Sequence, residues 1–187
     1  MQNDNLKFKI KNLKFSAGFT LVEALVALSI LIVGIISGFI LVTKALYDVT
    51  IIQDRLTASF LAQEGIELVR QIRDSNYVGG TVSWDDNLSN GTSTISANIN
   101  TKVIKLTPDS DPSYDPYLYY HEDIGLYNHD SSGGNKTSFQ RVINIFPVNN
   151  DEIRVQSIVT WKSRNISFEI GKGGIVAEDH LFNWLKL

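Results

Sequence analysis

Residues 18–23 read Gly-Phe-Thr-Leu-Val-Glu, and an apolar run continues from them to Val42. Between Phe19 and Val42 the only ionisable side chain is Glu23. A helix rises about 1.5 Å per residue, so about 20 apolar residues cover the hydrocarbon core of a bilayer. This stretch therefore predicts a membrane-spanning helix with one carboxylate near its start.

Glu23 is out of place in such a run. A carboxylate inside a membrane helix costs roughly 2.5–3.5 kcal/mol on insertion scales. The residue alone leaves two interpretations open. Glu23 lies about one turn from the helix start and can reach the membrane interface, or it has a specific partner.

A basic segment precedes the run. Positive charges beside a membrane helix stay on the cytoplasmic side, so residues 1–18 are predicted to be cytoplasmic. The run is too long for the apolar region of an ordinary secretory signal, and no small-x-small cleavage site lies near its end. The charged residues of the segment are Lys7, Lys9, Lys11 and Lys14, with only Asp4 against them.

The order of these features resembles the class III signal of type IV pilins and pseudopilins. In that signal a basic leader ends in Gly and is followed by Phe-Thr-Leu-Val-Glu, and all six positions of residues 18–23 match. The resemblance implies cleavage after Gly18 by a membrane prepilin peptidase, N-methylation of Phe19, and assembly of the helix into a filament core. The implied partners are other pilin or pseudopilin subunits, the prepilin peptidase/methyltransferase, the inner-membrane assembly platform and, before assembly, membrane lipid.

The physical chemistry of Glu23 agrees with that implication. Cleavage would leave a positively charged amine on Phe19, and methylation would keep the charge. In a stack of apolar helices, an unpaired amine and an unpaired carboxylate would each cost several kcal/mol. A contact between Glu23 of one subunit and the Phe19 amine of its neighbour removes both costs and sets the axial register. Glu23 is therefore predicted to act in assembly.

Gly34 and Gly38 form a small-xxx-small pair inside the run. They are either ordinary membrane-helix glycines, or sites of close helix packing or local flexibility. Many major pilins carry a proline in this stretch, and its absence here favours a minor pilin or a pseudopilin.

The helical pattern continues beyond the membrane segment without a proline. Two apolar stripes recur at three- and four-residue steps, and Gly65 is predicted to let a sheet or loop approach closely. Glu67 with Arg70, and Arg70 with Asp74, have the spacing of helix-surface ion pairs. One helix is therefore predicted from Phe19 to near Asn76. The stripes are Leu46, Val49, Gln53, Leu56 and Phe60, and Leu61, Gly65, Leu68 and Ile72.

After Gly79-Gly80 the pattern changes to short strands between polar turns. Trp161 and Trp184 are predicted to anchor the core of this part. The last segment, 175–187, is predicted as a short helix or a final strand. The other predicted strands are 94–103, 118–120, 126–127, 139–146 (ended by Pro147), 153–161 and 166–170.

The fold class is therefore predicted as α+β. A long N-terminal helix, its first half transmembrane, packs against a C-terminal antiparallel β-sheet head, as in the pilin fold. The predicted segments are 1–18, a cleaved cytoplasmic leader; 19–43, a transmembrane and filament-core helix; 44–78, its amphipathic continuation; and 79–187, a globular β-rich head.

Charge and composition narrow the classes of function. The chain of 187 residues has 17 basic and 20 acidic side chains and no cysteine. Because four lysines and one aspartate lie in the leader, the mature chain has a net charge near −6. This argues against a generally basic nucleic-acid surface, although local basic patches remain open. Disulfides and cysteine-ligated metals are ruled out.

Asp109, Asp111 and Asp115 are weak candidates for calcium ligands. Carboxylates at this spacing suit calcium, but neither a turning glycine nor a bidentate glutamate follows at the right distance. A solvated acidic loop is the favoured interpretation. Five nearby tyrosines are expected to pack, with an adhesive surface as the alternative: Tyr114, Tyr117, Tyr119, Tyr120 and Tyr127.

The sequence contains no pattern typical of an enzyme or of a cofactor site. The histidines, His121, His129 and His180, lack the spacing of zinc ligands. A nucleophile elbow, a phosphate-binding loop and a dinucleotide fingerprint are all missing from the sequence. The prediction is a non-enzymatic protein without a cofactor.

The predicted function is a structural subunit of a type IV pilus or a related type II secretion pseudopilus, most like a minor pilin. The predicted location is the inner membrane, with the leader in the cytoplasm and the head outside, and later a cell-surface or periplasmic filament. The alternatives are a major pilin, or a membrane-anchored binding head whose leader match is accidental. Adhesion, motility, DNA uptake and secretion all remain open as the process served.

Overall fold

A computed structural model describes residues 18–80, 82–98, 103–163, 166–169 and 172–184. The leader predicted at 1–18 lies outside this part of the chain except for Gly18. Residues 99–102 of the predicted strand 94–103, Ile170 of the predicted strand 166–170, and residues 185–187 of the last predicted segment also lie outside it.

The first element is α1, a helix of 59 residues from Leu21 to Gly79. It confirms the prediction of one unbroken helix and ends three residues beyond Asn76. Gly80 terminates it with φ of 60° and donates a hydrogen bond from its backbone N–H to the carbonyl of Asn76, 3.1 Å away. Glycine adopts this left-handed conformation without a steric penalty, so the helix stops there. The chain forms two compact units, Met1–Tyr47 and Asp48–Leu187.

The strands of the second unit form one antiparallel sheet. The longest two, β5 and β6, pair over most of their length and form its centre. The other edge of β5 is shared by β3 and β1, and the other edge of β6 by β7 and β8. The strands are β1 Gly91–Asn98, β2 Val103–Pro108, β3 Tyr117–His121, β4 Leu126–Asn128, β5 Asn135–Asn149, β6 Glu152–Ser163, β7 Ile166–Phe168 and β8 Ile175–Phe182.

One face of α1 packs on this sheet. The buried helix residues recur at three- and four-residue steps, which places them on one side of the helix. They meet the inward residues of β5 and β6, such as Ile143, Val155 and Val159. Full burial of a Val, Leu or Ile side chain contributes about 1.5–3 kcal/mol, so this seam stabilises the unit. The buried helix residues are Ala58, Leu61, Ala62, Gly65, Ile66, Val69 and Ile72. The α+β prediction is thus confirmed.

Of the two predicted apolar stripes, only the second faces the sheet. Leu61, Gly65 and Ile72 are buried, and Leu68 packs partly against the core. The first stripe stays exposed: Leu46 is 65%, Val49 49%, Leu56 56% and Phe60 61% exposed. The periodicity alone could not show which stripe the sheet would cover.

Gly65 fulfils its predicted role. A Cβ built on Gly65 would lie 3.0 Å from Cδ1 of Ile143, 3.1 Å from Cβ of Ser157, and closer still to the Ser157 hydroxyl. The sheet therefore approaches the helix backbone to a distance that only glycine permits.

Arg141 is a buried charge that joins the helix to the sheet. Its side chain is 1% exposed, and its Nη1 donates to Oε2 of Glu64, 2.8 Å away, and to the Leu61 carbonyl, 3.2 Å away. Its Nη2 donates to the Ile95 carbonyl at 3.3 Å. Burial lowers the pKa of Arg141, and the Glu64 carboxylate opposes that shift. The alternating pattern of β5 predicts that Arg141 faces inward, but the sequence does not identify Glu64 as its partner.

Two strand predictions were wrong. The predicted strand 94–103 is instead parts of two strands, β1 and β2, which pair from Ser93–Pro108 to Asn98–Val103. Pro147 does not end β5, because it pairs with Ile153 of β6. The β1 pairing on the opposite edge of β5 stops at Ile145, so the missing N–H of Pro147 faces no strand there. Within the described part of the last predicted segment, Ile175–Phe182 form strand β8, so the strand alternative is confirmed there and the helix alternative is wrong.

Trp161 and Trp184 have different environments. Trp161 is 3% exposed and stacks on Phe168 with ring centroids 4.5 Å apart. Trp184 is 61% exposed, so its predicted place in the core is wrong. Trp84, in the turn after α1, is buried instead at 8% exposed.

One of the two predicted helix-surface ion pairs is present. Arg70 pairs with Glu67 at 2.5 Å. Its other contact is Asp179 of β8 at 2.8 Å, not Asp74, which pairs with Arg73. In the second ion pair of Arg70, Asp179 therefore stands where Asp74 was expected.

Candidate functional site

The start of α1 holds the residues of the predicted cleavage and assembly site. Thr20 caps the helix, because its Oγ1 accepts a hydrogen bond from the backbone N–H of Glu23 at 3.2 Å and its carbonyl accepts one from Ala24 at 3.1 Å. Gly18 and Phe19 therefore precede the helix, and Phe19 is 74% exposed. The Gly18–Phe19 bond lies in non-helical, exposed backbone, as cleavage by a peptidase requires.

Glu23 lies in the first turn of α1 and is exposed. A carboxylate there is favoured by the partial positive charge of the helix N-terminus. Thr20 and Glu23 also have the spacing of a capping box, a signal that sequence reasoning missed. Among the described residues, only the Thr20 half of that box is formed, and the Glu23 carboxylate accepts no hydrogen bond.

The apolar run after Glu23 is suited to a membrane. Its most apolar window of 18 residues has a mean hydropathy of 2.9, and none of that window is buried. The hydroxyls within it bond to their own helix: Ser29 Oγ to the Leu25 carbonyl at 2.8 Å, and Ser37 Oγ to the Val33 carbonyl at 2.7 Å. Such local bonds remove much of the cost of placing a hydroxyl in lipid.

Gly34 and Gly38 lie on one face of the run, four residues apart. A Cβ on either would meet no atom within 4 Å. The described fold therefore does not require glycine at these positions, in contrast to Gly65.

Two carboxylates of the acidic loop accept hydrogen bonds from residues a few positions further along the chain. Asp111 accepts hydrogen bonds from the N–H and hydroxyl of Ser113, at 2.8 and 2.7 Å, and these lower the pKa of Asp111. Asp115 accepts from the N–H of Tyr117 at 3.0 Å and the hydroxyl of Tyr119 at 2.8 Å. Among the described residues, Asp109, Asp111 and Asp115 form no group placed to hold a metal ion.

Two of the three histidines line one polar cleft of about 460 Å³. His121 Nε2 lies 3.0 Å from the Asp130 carbonyl, and His129 Nδ1 lies 2.9 Å from the Asp115 carbonyl. Burial, aided by the charge of Arg141, lowers the pKa of His129 to about 4. His129 is therefore neutral at pH 7 and donates from Nδ1. His180 lies elsewhere, with Nδ1 2.6 Å from Oε1 of Glu152.

The tyrosines near the acidic loop are half-buried. Tyr120 lies 5.0 Å from Tyr127, and Tyr127 meets Phe139 edge-to-face at 6.1 Å, measured between ring centroids. The Lys136 ammonium lies over the Tyr117 ring, with Nζ 3.6 Å from the ring centroid. These contacts agree with packing as their main role.

Comparison with known families identifies the start of the chain. Residues 13–39 match the prokaryotic N-terminal methylation motif, which is the leader signal of type IV pilins. The match includes Gly18, Phe19 and Glu23, and it confirms the resemblance that residues 18–23 carry. No curated protein and no solved structure matches the chain.

Proposed function

We propose that this chain, which carries the N-terminal methylation motif at residues 13–39, is a structural subunit of a type IV pilus or of a related type II secretion pseudopilus. The proposal rests on one combination of features: the leader motif is followed by a single helix whose first part is apolar and whose last part packs against a sheet. Proteins with this architecture and leader are structural subunits, which supports a non-enzymatic role.

The first step is processing. The leader stays in the cytoplasm, the apolar run anchors the chain in the inner membrane, and the head lies outside. The prepilin peptidase cuts the exposed Gly18–Phe19 bond, and its methyltransferase activity modifies the new amine of Phe19. Because α1 begins only at Leu21, neither step requires the helix to unwind.

The second step is assembly at the inner-membrane platform. The Phe19 amine of one subunit pairs with Glu23 of a neighbour, which compensates two charges that apolar packing would otherwise leave alone. Gly34 and Gly38 let helices approach one another closely or flex. The exposed stripe from Val49 to Phe60 supplies further apolar surface for neighbouring helices. The finished subunit is part of a cell-surface or periplasmic filament.

A minor pilin or pseudopilin is the favoured subtype, because α1 contains no proline from Leu21 to Gly79. A major pilin differs in abundance, so the amount of this chain in sheared filaments separates the two. A membrane-anchored binding head with an uncleaved leader is the candidate of a different class.

Intact mass and N-terminal sequencing of the protein from membranes test the proposal. In cells with an active prepilin peptidase, the expected N-terminus is Phe19 carrying one methyl group. Gly18→Val should block cleavage, because the leader signal ends in Gly at this position. The fold should persist, because a Cβ at Gly18 meets nothing within 4 Å. Gly34→Ala, also at an open position, is the control and should be processed normally. An uncleaved wild-type chain in these cells would favour the anchored binding head.

A further inference from the structure

Strand β2 has an open edge. Among the described residues it pairs with β1 and with no other strand. The N–H of Asp109 donates to the Thr92 carbonyl at 3.0 Å, in the same register as the β1–β2 pairs. Hydrogen-bonded and non-bonded pairs alternate in an antiparallel ladder, so Ile104 and Leu106 direct their backbone N–H and C=O away from β1.

A groove of about 570 Å³ runs along this edge, between β2 and the last turns of α1. Its helix wall carries amide and hydroxyl side chains, and its strand wall is β2 itself. The lining residues beyond those of β2 are Gln71, Ile72, Ser75, Asn76, Asn87, Ser89 and Ser93.

The two walls have the chemistry to hold an extended backbone. The outward N–H and C=O groups of Ile104 and Leu106 can pair with one edge of an added strand, as in β-strand addition. Gln71 and Ser75 are exposed on the opposite wall. The Gln71 amide can donate to and accept from the other edge of the added strand, and the Ser75 hydroxyl, which donates to the Gln71 carbonyl at 2.6 Å, can accept from it. Ile72, Ile104 and Leu106 form an apolar part of the lining that suits alternate apolar side chains.

The charge of the groove is positive. Lys105 is the one ionisable side chain in the described lining, and it is exposed. The pKa of Asp111 in the neighbouring acidic loop is lowered first by the hydrogen bonds that it accepts and also by the charge of Lys105, so a bound acidic side chain would share the ammonium with that carboxylate. The other long open edge, β8, differs: Asp179 points toward α1 and pairs with Arg70 at 2.8 Å, and Glu178 is exposed. Inward charges of this kind protect an edge from pairing. Of these two edges, β2 is thus the better one for an acidic strand.

We propose that the groove between β2 and residues 71–76 of α1 binds an extended acidic peptide segment of a partner protein, which adds to the sheet as a strand beside β2. The proposal is independent of processing and filament assembly. Main-chain hydrogen bonds to β2 supply affinity, and the contact with Lys105 selects an acidic side chain.

Peptide binding to the full-length protein in detergent tests the proposal. The probe is a fluorescent peptide of about six residues, the length of a typical strand, with alternating Thr and Val and a central Glu. One matched peptide has Lys in place of Glu. Two others keep the Glu sequence but carry N-methyl groups on alternate backbone amides: in one, the amides on the edge that would face β2 are methylated, and in the other, those on the opposite edge. Fluorescence anisotropy should show binding of the Glu peptide, about tenfold weaker binding of the Lys peptide, and loss of binding when the edge facing β2 is methylated.

Variants of the protein locate the site. Ser75→Trp should fill the groove and weaken binding at least about tenfold, whereas Gln63→Trp, at an exposed helix position outside the groove, should not. Lys105→Glu should reverse the preference between the Glu and Lys peptides, whereas Lys162→Glu should leave it unchanged. Thermal unfolding of each variant checks that the fold is retained.

Three results would overturn the proposal. One is equal binding of the methylated and unmethylated peptides, which excludes strand addition. Another is unchanged affinity in a folded Ser75→Trp variant, which places binding elsewhere. The third is no binding of any peptide at millimolar concentration, which would leave Lys105 and Pro108 as residues that only protect the edge from aggregation.

Discussion

Gly65 of α1 and Ser157 of β6 lie in direct contact: a Cβ on Gly65 would be 3.1 Å from the Cβ of Ser157. Ile143 closes the same space from β5, with Cδ1 3.0 Å from that position. The contact fixes how closely the helix and the sheet pack at the centre of the core. It also explains why a glycine, which weakens helices, is found in the middle of α1.

Gly65→Ala is therefore expected to destabilise the protein. Alanine favours the helix by about 1 kcal/mol over glycine. Forcing an extra carbon into a packed core typically costs about 1–3 kcal/mol, and here backbone and side chains on both sides must move. After the helix gain is subtracted, we expect a net loss of about 1 kcal/mol and at most about 2 kcal/mol in urea unfolding, followed by the fluorescence of the buried Trp84 and Trp161.

Gly79→Ala is the control for this experiment. A Cβ at Gly79 meets nothing within 4 Å, so this substitution should leave stability unchanged or raise it slightly. Equal stability of the two variants would show that helix and sheet are not in close contact at Gly65.

Trp161→Ala and Trp184→Ala should differ strongly. Trp161 is 3% exposed and is packed between aromatic rings, so its removal should cost about 3–5 kcal/mol. Trp184 is 61% exposed and contacts Tyr77 with ring centroids 5.1 Å apart, so its removal should cost less than about 1 kcal/mol. Urea midpoints of the two variants give the comparison, and a large loss in Trp184→Ala would contradict its exposed position.

Because burial lowers the pKa of His129, the free energy of unfolding should depend on pH. That pKa is lowered from 6.5 to about 4 in the folded state. The unfolded state therefore binds the proton more readily, and stability falls as the pH falls from about 6.5 to about 4. The expected loss is about 3 kcal/mol, measured by urea unfolding at a series of pH values.

Substitution of His129 separates this effect from that of the carboxylates. Asp111 and Asp130 have lowered pKa values, so their stabilisation is lost below their ordinary value of 3.8, in a lower pH range. His129→Asn should flatten the curve between pH 6.5 and 4, whereas His180→Asn, at an exposed histidine, should retain the fall. An unchanged slope in His129→Asn would assign the fall to another group.

The parts of the fold that depend on local sequence could be predicted. The helix follows from an apolar run, three- and four-residue spacing and the absence of proline. The leader follows from six adjacent residues, 18–23. Gly65 could be identified because a glycine within a helical stripe needs a packing reason.

The parts that depend on distant pairing could not be predicted. Residues 94–103 alternate loosely as one strand would, and the antiparallel pairing that divides them between β1 and β2 cannot be recognised from that pattern. Arg70 has Asp74 at the correct helical spacing, yet it pairs with Asp179, which is brought near by the β6–β8 register. Trp184 has a large apolar side chain of the kind that is usually buried, but it follows the end of β8 and lies outside the buried core. At the candidate site, the leader pattern singled out Phe19 and Glu23, and both lie within the matched motif, whereas the cap formed by Thr20 was overlooked.

Glu23→Ala should leave insertion and cleavage intact and lower incorporation into filaments. Loss of the carboxylate makes the run more apolar, which eases membrane insertion. Cleavage acts at Gly18–Phe19, before the helix, and the Thr20 cap uses the backbone N–H of Glu23, which alanine retains. Assembly should be impaired because a buried Phe19 amine would lose its partner, at a cost of roughly 3–5 kcal/mol in a dry site. The measurement is the ratio of this subunit in sheared filaments to that in membranes.

Three further variants make this result specific to the charge. Glu23→Gln keeps the shape but removes the charge, so it should also assemble poorly. Glu23→Lys should be worse than either, because it places two positive charges together. Glu67→Ala removes an exposed carboxylate of α1 outside the apolar run and should assemble normally. If Glu23 only reaches the membrane interface, all four variants will give the wild-type ratio, because no neighbouring amine then depends on its charge.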